Sequence, residues 1–330
     1  MTYSVGGLIQ AADYNTFQTN LNAIWSTGST DSGWGQNALS AVSASGVVAA
    51  TNWSSLVNTL ATAGNQTTTT LTSRTAPVAG GVIAVLANVA TDISSVTARR
   101  GYATSSGTTS STWTGSVSQT TSTGVPGISG WTLVFTSNIT FPSADQARYF
   151  WNAGGLVRLD MSKTSTGTDI DPDWNTFVSS VGTLYLSGRV NNANQVIAGT
   201  TYTGFTRIGG SGTPSPNLTT TGWYQLPTGG STTTMFRLNN SVYPYSASYI
   251  QVDAQIFDEG VTVLRLTTTW FQSAQFNQTG ISGGTATTSP FTSFGTAPTV
   301  LCRVVPPSIA QGLSNTWGTQ TLNCVVNQTT

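Results

Sequence analysis

YIQVDAQIFDEGVTVLRLTTTW, residues 249–270, is the stretch on which the reading of the fold turns. Ile250, Val252, Ala254 and Ile256 alternate with polar residues, the period of two that sends successive side chains to opposite faces of a strand. Asp258-Glu259-Gly260 then makes a hairpin turn, and Val261 to Trp270 returns as a second strand. In that strand Val261, Val263 and Arg265 take one face while Leu264 and Leu266 take the other. Asp253 falls on the polar face and is expected to pair with Arg265 across the hairpin. The stretch therefore predicts antiparallel β-structure.

Working outward, the same period recurs in Trp131, Leu133 and Phe135, and again in Ile139 and Phe141. Tyr149 to Met161 reads as a strand pair around the turn-compatible Asn152-Ala153-Gly154-Gly155. Val181 to Arg189, Gly199 to Ile208 and Gly222 to Leu226 read as further strands, Ile281 to Pro290 as a flexible stretch, and Thr299 to Val305 with Thr319 to Val326 as closing strands. Asp171-Pro172-Asp173-Trp174 opens a short helix, with Trp174, Phe177, Val178 and Val181 at helical spacing and Gly182 at its end.

Before Gly101 the apolar spacing is helical instead. A first helix over Ala11 to Trp25 places Phe17, Leu21 and Ile24 on one face, with Asp13 in its first turn. A second starts after Thr51 as N-cap, aligns Trp53, Leu56, Val57 and Leu60, and stops at Gly64-Asn65. A third, over Val82 to Arg100, carries the narrow stripe Val82, Val85, Leu86, Val89, Ile93 and Val96. Two covers suit such a stripe: an inter-subunit seam, three copies being the natural closed bundle, or the other two helices of the same chain. The expected organisation is a helical attachment and trimerisation region over 1–100, a Ser/Thr/Gly-rich stretch over 101–130 that reads as a linker or lightly packed strands, and an antiparallel β-rich domain over 131–330. The expected fold class is α+β, mainly β: a short N-terminal helical region followed by an antiparallel β-sandwich-like domain, in an oligomeric fibre-type architecture.

Composition narrows what such a fold can do. Only 7% of residues are charged, 11 basic against 11 acidic, where soluble domains carry about 25%. Ser and Thr, about 30% of the chain, keep the surface wet instead, while 10 Trp, 10 Tyr and 12 Phe supply core. His is absent, which excludes Ser-His-Asp and Cys-His catalysis and His-ligated zinc within this chain. Scattered arginines, zero net charge and the single Lys163 argue against nucleic-acid binding. No apolar run approaches transmembrane length, and the first residues have neither a basic nor an apolar region of signal-peptide type, so membrane insertion and export by a leader are not expected. Cys302 and Cys324 could lie on neighbouring strands, either reduced or bridged; without an export signal, reduced thiols are the commoner state.

The candidate chemistry is sparse. Asp169, Asp171 and Asp173 could hold a hard cation, but Asp171 as N-cap, Pro172 at the first helical position and Asp173 against the helix dipole explain the cluster better. A glycan hydrolase needs two carboxylates on one groove roughly 5 to 10 Å apart, and the adjacent Asp258-Glu259 reads as a turn. No catalytic residue, cofactor site or metal site is therefore assigned. Trp113, Trp223, Tyr243, Tyr245 and Trp317 lie in Gly/Ser/Thr/Pro-rich contexts and are candidates to stack on sugar rings, or else to plug a thin core.

Several motifs are familiar together. Gly7-Leu8-Ile9-Gln10-Ala11-Ala12-Asp13-Tyr14-Asn15, Asn22-Ala23-Ile24-Trp25, Gly33-Trp34-Gly35-Gln36 and Trp53-Ser54-Ser55-Leu56 resemble a family of tailed-bacteriophage virion structural proteins. Ser143 to Gly155, Trp174, Gly182-Thr183, Gly222-Trp223-Tyr224-Gln225-Leu226 and Tyr249-Ile250 resemble the second half of the same proteins. The resemblance implies a virion component of fibre, collar or tail-accessory type; with the sparse candidate chemistry, the expected function is a non-enzymatic fibre or fibre-adaptor protein, assembled in the host cytoplasm and serving host attachment. The expected partners are itself, as a homotrimer through the apolar stripe, other virion proteins of the portal, neck, tail or capsid, and, through the candidate rings, a host-surface glycan. A glycan-binding adhesin is the alternative reading, and a tailspike hydrolase a third.

Overall fold

Period-3.6 apolar spacing becomes three helices, α1 (Ala11–Trp25), α2 (Ala50–Gln66) and α3 (Val89–Ala98). The computed structural model describes residues 11–78, 88–116, 128–164, 170–188, 194–203, 207–218, 222–241, 246–276, 280–282, 285–287 and 297–329. Tyr14, Phe17, Leu21 and Ile24 form the buried face of α1, and the rings of Tyr14 and Phe17 meet Trp53 of α2 edge-on at 5.4 and 6.1 Å. Such aromatic contacts add to the burial of apolar area that holds the helices together.

The termini of α2 differ from expectation. Ala49 occupies the N-cap, and the Asn52 side chain accepts its backbone N–H at 3.0 Å. Thr51 lies inside the helix. The helix also continues past Gly64, whose missing Cβ makes room for Leu71: an added carbon would stand 2.5 Å from Leu71 Cδ1. That glycine serves packing rather than termination.

Helix α3 starts at Val89, after Asn88 in the left-handed region. Val82, Val85 and Leu86 lie outside the described residues. Val89, Ile93 and Val96 are 1%, 3% and 0% exposed, inside the core that one chain builds from its own helices and sheets. For these three the expected inter-subunit seam is overturned, because a fully covered side chain leaves no surface for a second copy.

Along the rest of the chain run β1 (Thr104–Ser105), β2 (Ser111–Ser116), β3 (Ile128–Thr140), α4 (Ala144–Asn152), β4 (Leu156–Ser162), α5 (Ile170–Val181) and β5 (Thr183–Leu186). Then come β6 (Asn194–Ile197), β7 (Thr200–Thr203), β8 (Arg207–Ile208), β9 (Thr233–Asn239), β10 (Tyr249–Ile256) and β11 (Val263–Phe276). The last are β12 (Gly280–Ser282), β13 (Thr285–Thr287), β14 (Thr299–Val305) and β15 (Thr321–Thr329).

Two five-stranded antiparallel sheets dominate, ordered β15-β3-β11-β10-β9 and β2-β14-β4-β5-β8. A small sheet, β1-β6-β7, and the β12–β13 ribbon accompany them. Alternation shows in what each strand buries: Trp131, Leu133, Phe135 and Ile139 from β3, Ile250, Val252 and Ala254 from β10, and Val300, Cys302 and Val304 from β14. Side chains of both large sheets and of the helices join one continuous core. The chain is thus α+β, mainly β, with a helical N-terminal region.

Where described, residues 101–130 are paired strands, β1 with β6 and β2 with β14. Three local expectations fail. Tyr149 to Asn152 belong to α4 rather than to a strand, because Ser143 caps that helix by accepting the Gln146 N–H at 3.1 Å. Trp223 to Gln225 form a 3₁₀ turn. The β10–β11 hairpin forms, but its register sets Asp253 against Thr267 and Arg265 against Gln255. Asp253 accepts instead from Thr234 Oγ1 at 2.6 Å and Gln251 Nε2 at 2.8 Å, while Arg265 donates to Asn138 and lies over the Phe257 ring.

Candidate functional site

Where the helical region meets the sheets, the chain after α1 doubles back over that helix. The N–H groups of Trp34, Gly35 and Gln36 bond to the carbonyls of Ile24, Ser26 and Trp25 at 2.9, 2.8 and 3.0 Å. Gly33 and Gly35 have φ of +98° and +70°, a region glycine enters without steric cost. At Gly35 the need is double, because a Cβ would stand 2.5 Å from the Tyr149 ring. The turn thereby delivers Trp34, 1% exposed, to the end of α4, where its indole N–H donates to the Asn152 carbonyl at 3.0 Å.

Asn152 completes the joint with its side chain. Its amide nitrogen donates to the carbonyls of Thr30 and Gly33, both at 3.2 Å, and its oxygen accepts the Tyr224 hydroxyl at 2.8 Å. Gln36 reaches the other way, donating to the Ser314 carbonyl at 2.9 Å and accepting the Ser314 N–H at 2.8 Å. Gln66, wholly buried, donates to the carbonyls of Thr104 and Ala153, both at 2.8 Å. Arg148 holds the Thr27 and Ser32 carbonyls, and Arg100 pairs with Asp31 at 2.9 Å. Buried amides and carbonyls cost free energy unless paired, so these mutual bonds make the junction specific.

Beneath the junction lies an aromatic cluster. Trp151 and Trp223 stack at 5.4 Å with planes 26° apart, and Phe141 and Phe150 pack against Trp151 at 5.7 and 4.9 Å. A small crevice opens beside it, lined by Arg100, Ala103, Trp151, Asn152 and Ser187 among others.

The sequence-predicted sugar contacts are dispersed. Trp223 and Trp317 are 4% and 2% exposed and belong to the core, which overturns their assignment as glycan platforms. Trp113 on β2 is half-buried, its ring lying over Gly115. Tyr243 and Tyr245 lie outside the described residues.

The acidic residues hold structure. Helix α5 begins at Ile170, so Asp171 sits inside its first turn rather than at the N-cap, and Asp169 lies outside the described residues. Burial raises the Asp173 carboxyl above its ordinary value, against a lowering bond from Asn240 at 2.7 Å. At Asp258 burial also pushes upward, but bonds from the Thr262 hydroxyl and the Val263 and Thr262 amides outweigh it and hold the carboxyl low. Asp160 accepts from Arg158, Arg303 and Thr183. Among the described residues no group of three or more Cys, Asp or Glu converges as metal donors, and no helix is long and apolar enough to cross a membrane.

Compared with known protein families, curated proteins and solved structures, the chain has no significant match.

Proposed function

We propose that this chain is a non-enzymatic structural component of a tailed-bacteriophage virion, a fibre or fibre-adaptor held by portal, neck, tail or capsid proteins. The observation that carries this reading is the convergence of the resembling motifs. Gly33 to Gln36, Tyr149 to Gly155 and Trp223-Tyr224 are far apart in sequence, yet they meet at one junction through the Trp34–Asn152 and Tyr224–Asn152 bonds. A joint of interlocked polar groups from distant segments suits a protein that transmits force between an attachment end and a projecting body. The carboxylates of Asp31, Asp92, Asp145, Asp160, Asp253 and Asp258 all accept bonds from neighbouring side chains or backbone, which suits a framework better than catalysis.

Three copies is the stoichiometry expected of a closed fibre, through a surface other than Val89, Ile93 and Val96. Mass spectrometry of purified particles, with antibody labelling of the chain, tests the assignment. A fixed copy number at one location supports it, and absence from particles freed of lysate overturns it. The adhesin reading rests on Trp113, the one described candidate ring that keeps part of its surface open; saturable binding to host-surface glycan that Trp113→Ala abolishes would favour it.

A further inference from the structure

Trp151 is 4% exposed, and its buried indole N–H finds no hydrogen-bond partner within the chain. Aromatic carbon surrounds the ring: Trp223 stacks on it at 5.4 Å, Phe141 lies at 5.7 Å, and Phe150 meets it edge-on at 4.9 Å. Such rings offer an N–H only weak acceptance through their π faces. The same indole borders the crevice at the junction, whose other walls include Arg100, Asn152, Ser187 and four glycines.

The polar deficit extends beyond this one group. Gln66 Oε1 and Thr104 Oγ1 are likewise buried without a partner, and Gln66 is held against the carbonyls of Thr104 and Ala153, both at 2.8 Å. Gly154 keeps the two stretches in contact, since an added Cβ would stand 2.4 Å from the Ala103 carbonyl oxygen. Around that contact the chain leaves a donor, an acceptor and a hydroxyl unmet, where buried polar groups are ordinarily satisfied by protein or by ordered water.

We propose that the crevice is a binding site for a single ordered water molecule, which accepts the Trp151 indole N–H. Size and polarity select it: the space suits about one water, and polar walls hold water where apolar ones stay dry. Charge favours water over an anion, because the Arg100 guanidinium is already paired with Asp31 at 2.9 Å. The balance has the right sign, since leaving a buried N–H unpaired costs more than immobilising one water. The water is then a component of the joint, beside Asn152 and its bonds to Trp34 and Tyr224. It belongs to the folded chain and stands or falls apart from the virion assignment.

The test is a crystal structure of the full-length chain at a resolution that orders internal waters, with a second crystal soaked in bromide. The expected result is a density peak within hydrogen-bond distance of Trp151 Nε1 and of a further polar atom of the crevice wall, with no anomalous signal there after the soak. In solution, isotope-labelled tryptophan, with the Trp151 signal assigned by its loss in Trp151→Phe, should show cross-relaxation between that indole proton and a long-lived water. A bromide peak would make the crevice an anion site and overturn the proposal. A dry crevice would overturn it too, as would an indole N–H bonded to a protein acceptor or aimed into the Phe150 ring.

Discussion

Trp34 and Asn152 are joined by an indole-to-carbonyl hydrogen bond of 3.0 Å across 118 positions of sequence. Both residues are nine-tenths buried or more, so neither polar group has water to fall back on. Trp34→Phe keeps most of the ring and removes only the donor. Leaving the Asn152 carbonyl unpaired is expected to cost about 1–3 kcal/mol. Urea unfolding should show the midpoint falling with an unchanged slope.

Asp92 and Arg74 form an ion pair whose side chains are 7% and 5% exposed, with Asp92 also accepting from Thr72. Removing one partner strands the other charge. Asp92→Asn is expected to destabilise by about 3–5 kcal/mol, while replacing both residues with apolar ones of similar volume should cost much less. The comparison of single and double variants by chemical denaturation checks this.

Val89 gives a test of where the helical region is covered. Because it is 1% exposed within the core of one chain, Val89→Asp forces an unpaired carboxylate into apolar surroundings. The expected result is a lower melting temperature that does not vary with protein concentration. A concentration-dependent loss of an oligomer, with the subunit still folded, would restore the seam.

Asp258 and Asp173 should move stability with pH in opposite directions. The Asp258 carboxyl is held below the ordinary 3.8, so its contribution is present above that value and lost as pH falls through the lower, folded value. Asp173 is raised above 3.8: the folded state holds its proton more tightly than the unfolded one, and stability declines as pH climbs from 3.8 through the raised value. Asp258→Ala should therefore flatten the acid limb of a stability–pH curve. Asp173→Asn should remove the decline on the other side.

Much of this fold was readable residue by residue. The bounds of α1 follow from the spacing of Phe17, Leu21 and Ile24, and β10, β11 and β14 follow from alternation, because one-sided burial imprints its period directly on the chain. Helix α4 was hidden by Tyr149, Phe150 and Trp151, residues that favour strands when taken alone. The signal lies just upstream, in Ser143 and Gln146 at cap and third helical position. Trp223 and Trp317 looked exposed because their local context is loop-like. Their burial depends on distant neighbours, such as Trp151 stacking on Trp223, that no local window contains. The junction escaped direct reading for the same reason: the two ends of its central bond lie on segments that only the folded chain brings together.

The position of β15 beside β3 bears on how the chain comes to be folded at all. β3 begins its five-stranded sheet at Ile128, yet one of its two neighbours is not synthesised until Thr321 to Thr329 emerge from the ribosome. Until then β3 presents a long edge with few charges, the kind of template that pairs with any available strand. Pairing over so large a sequence separation is also slow. Many chains made at once are therefore most vulnerable to one another late in translation, and yield in expression should respond to synthesis rate and to chaperones that mask strand edges more than to the stability of the finished fold.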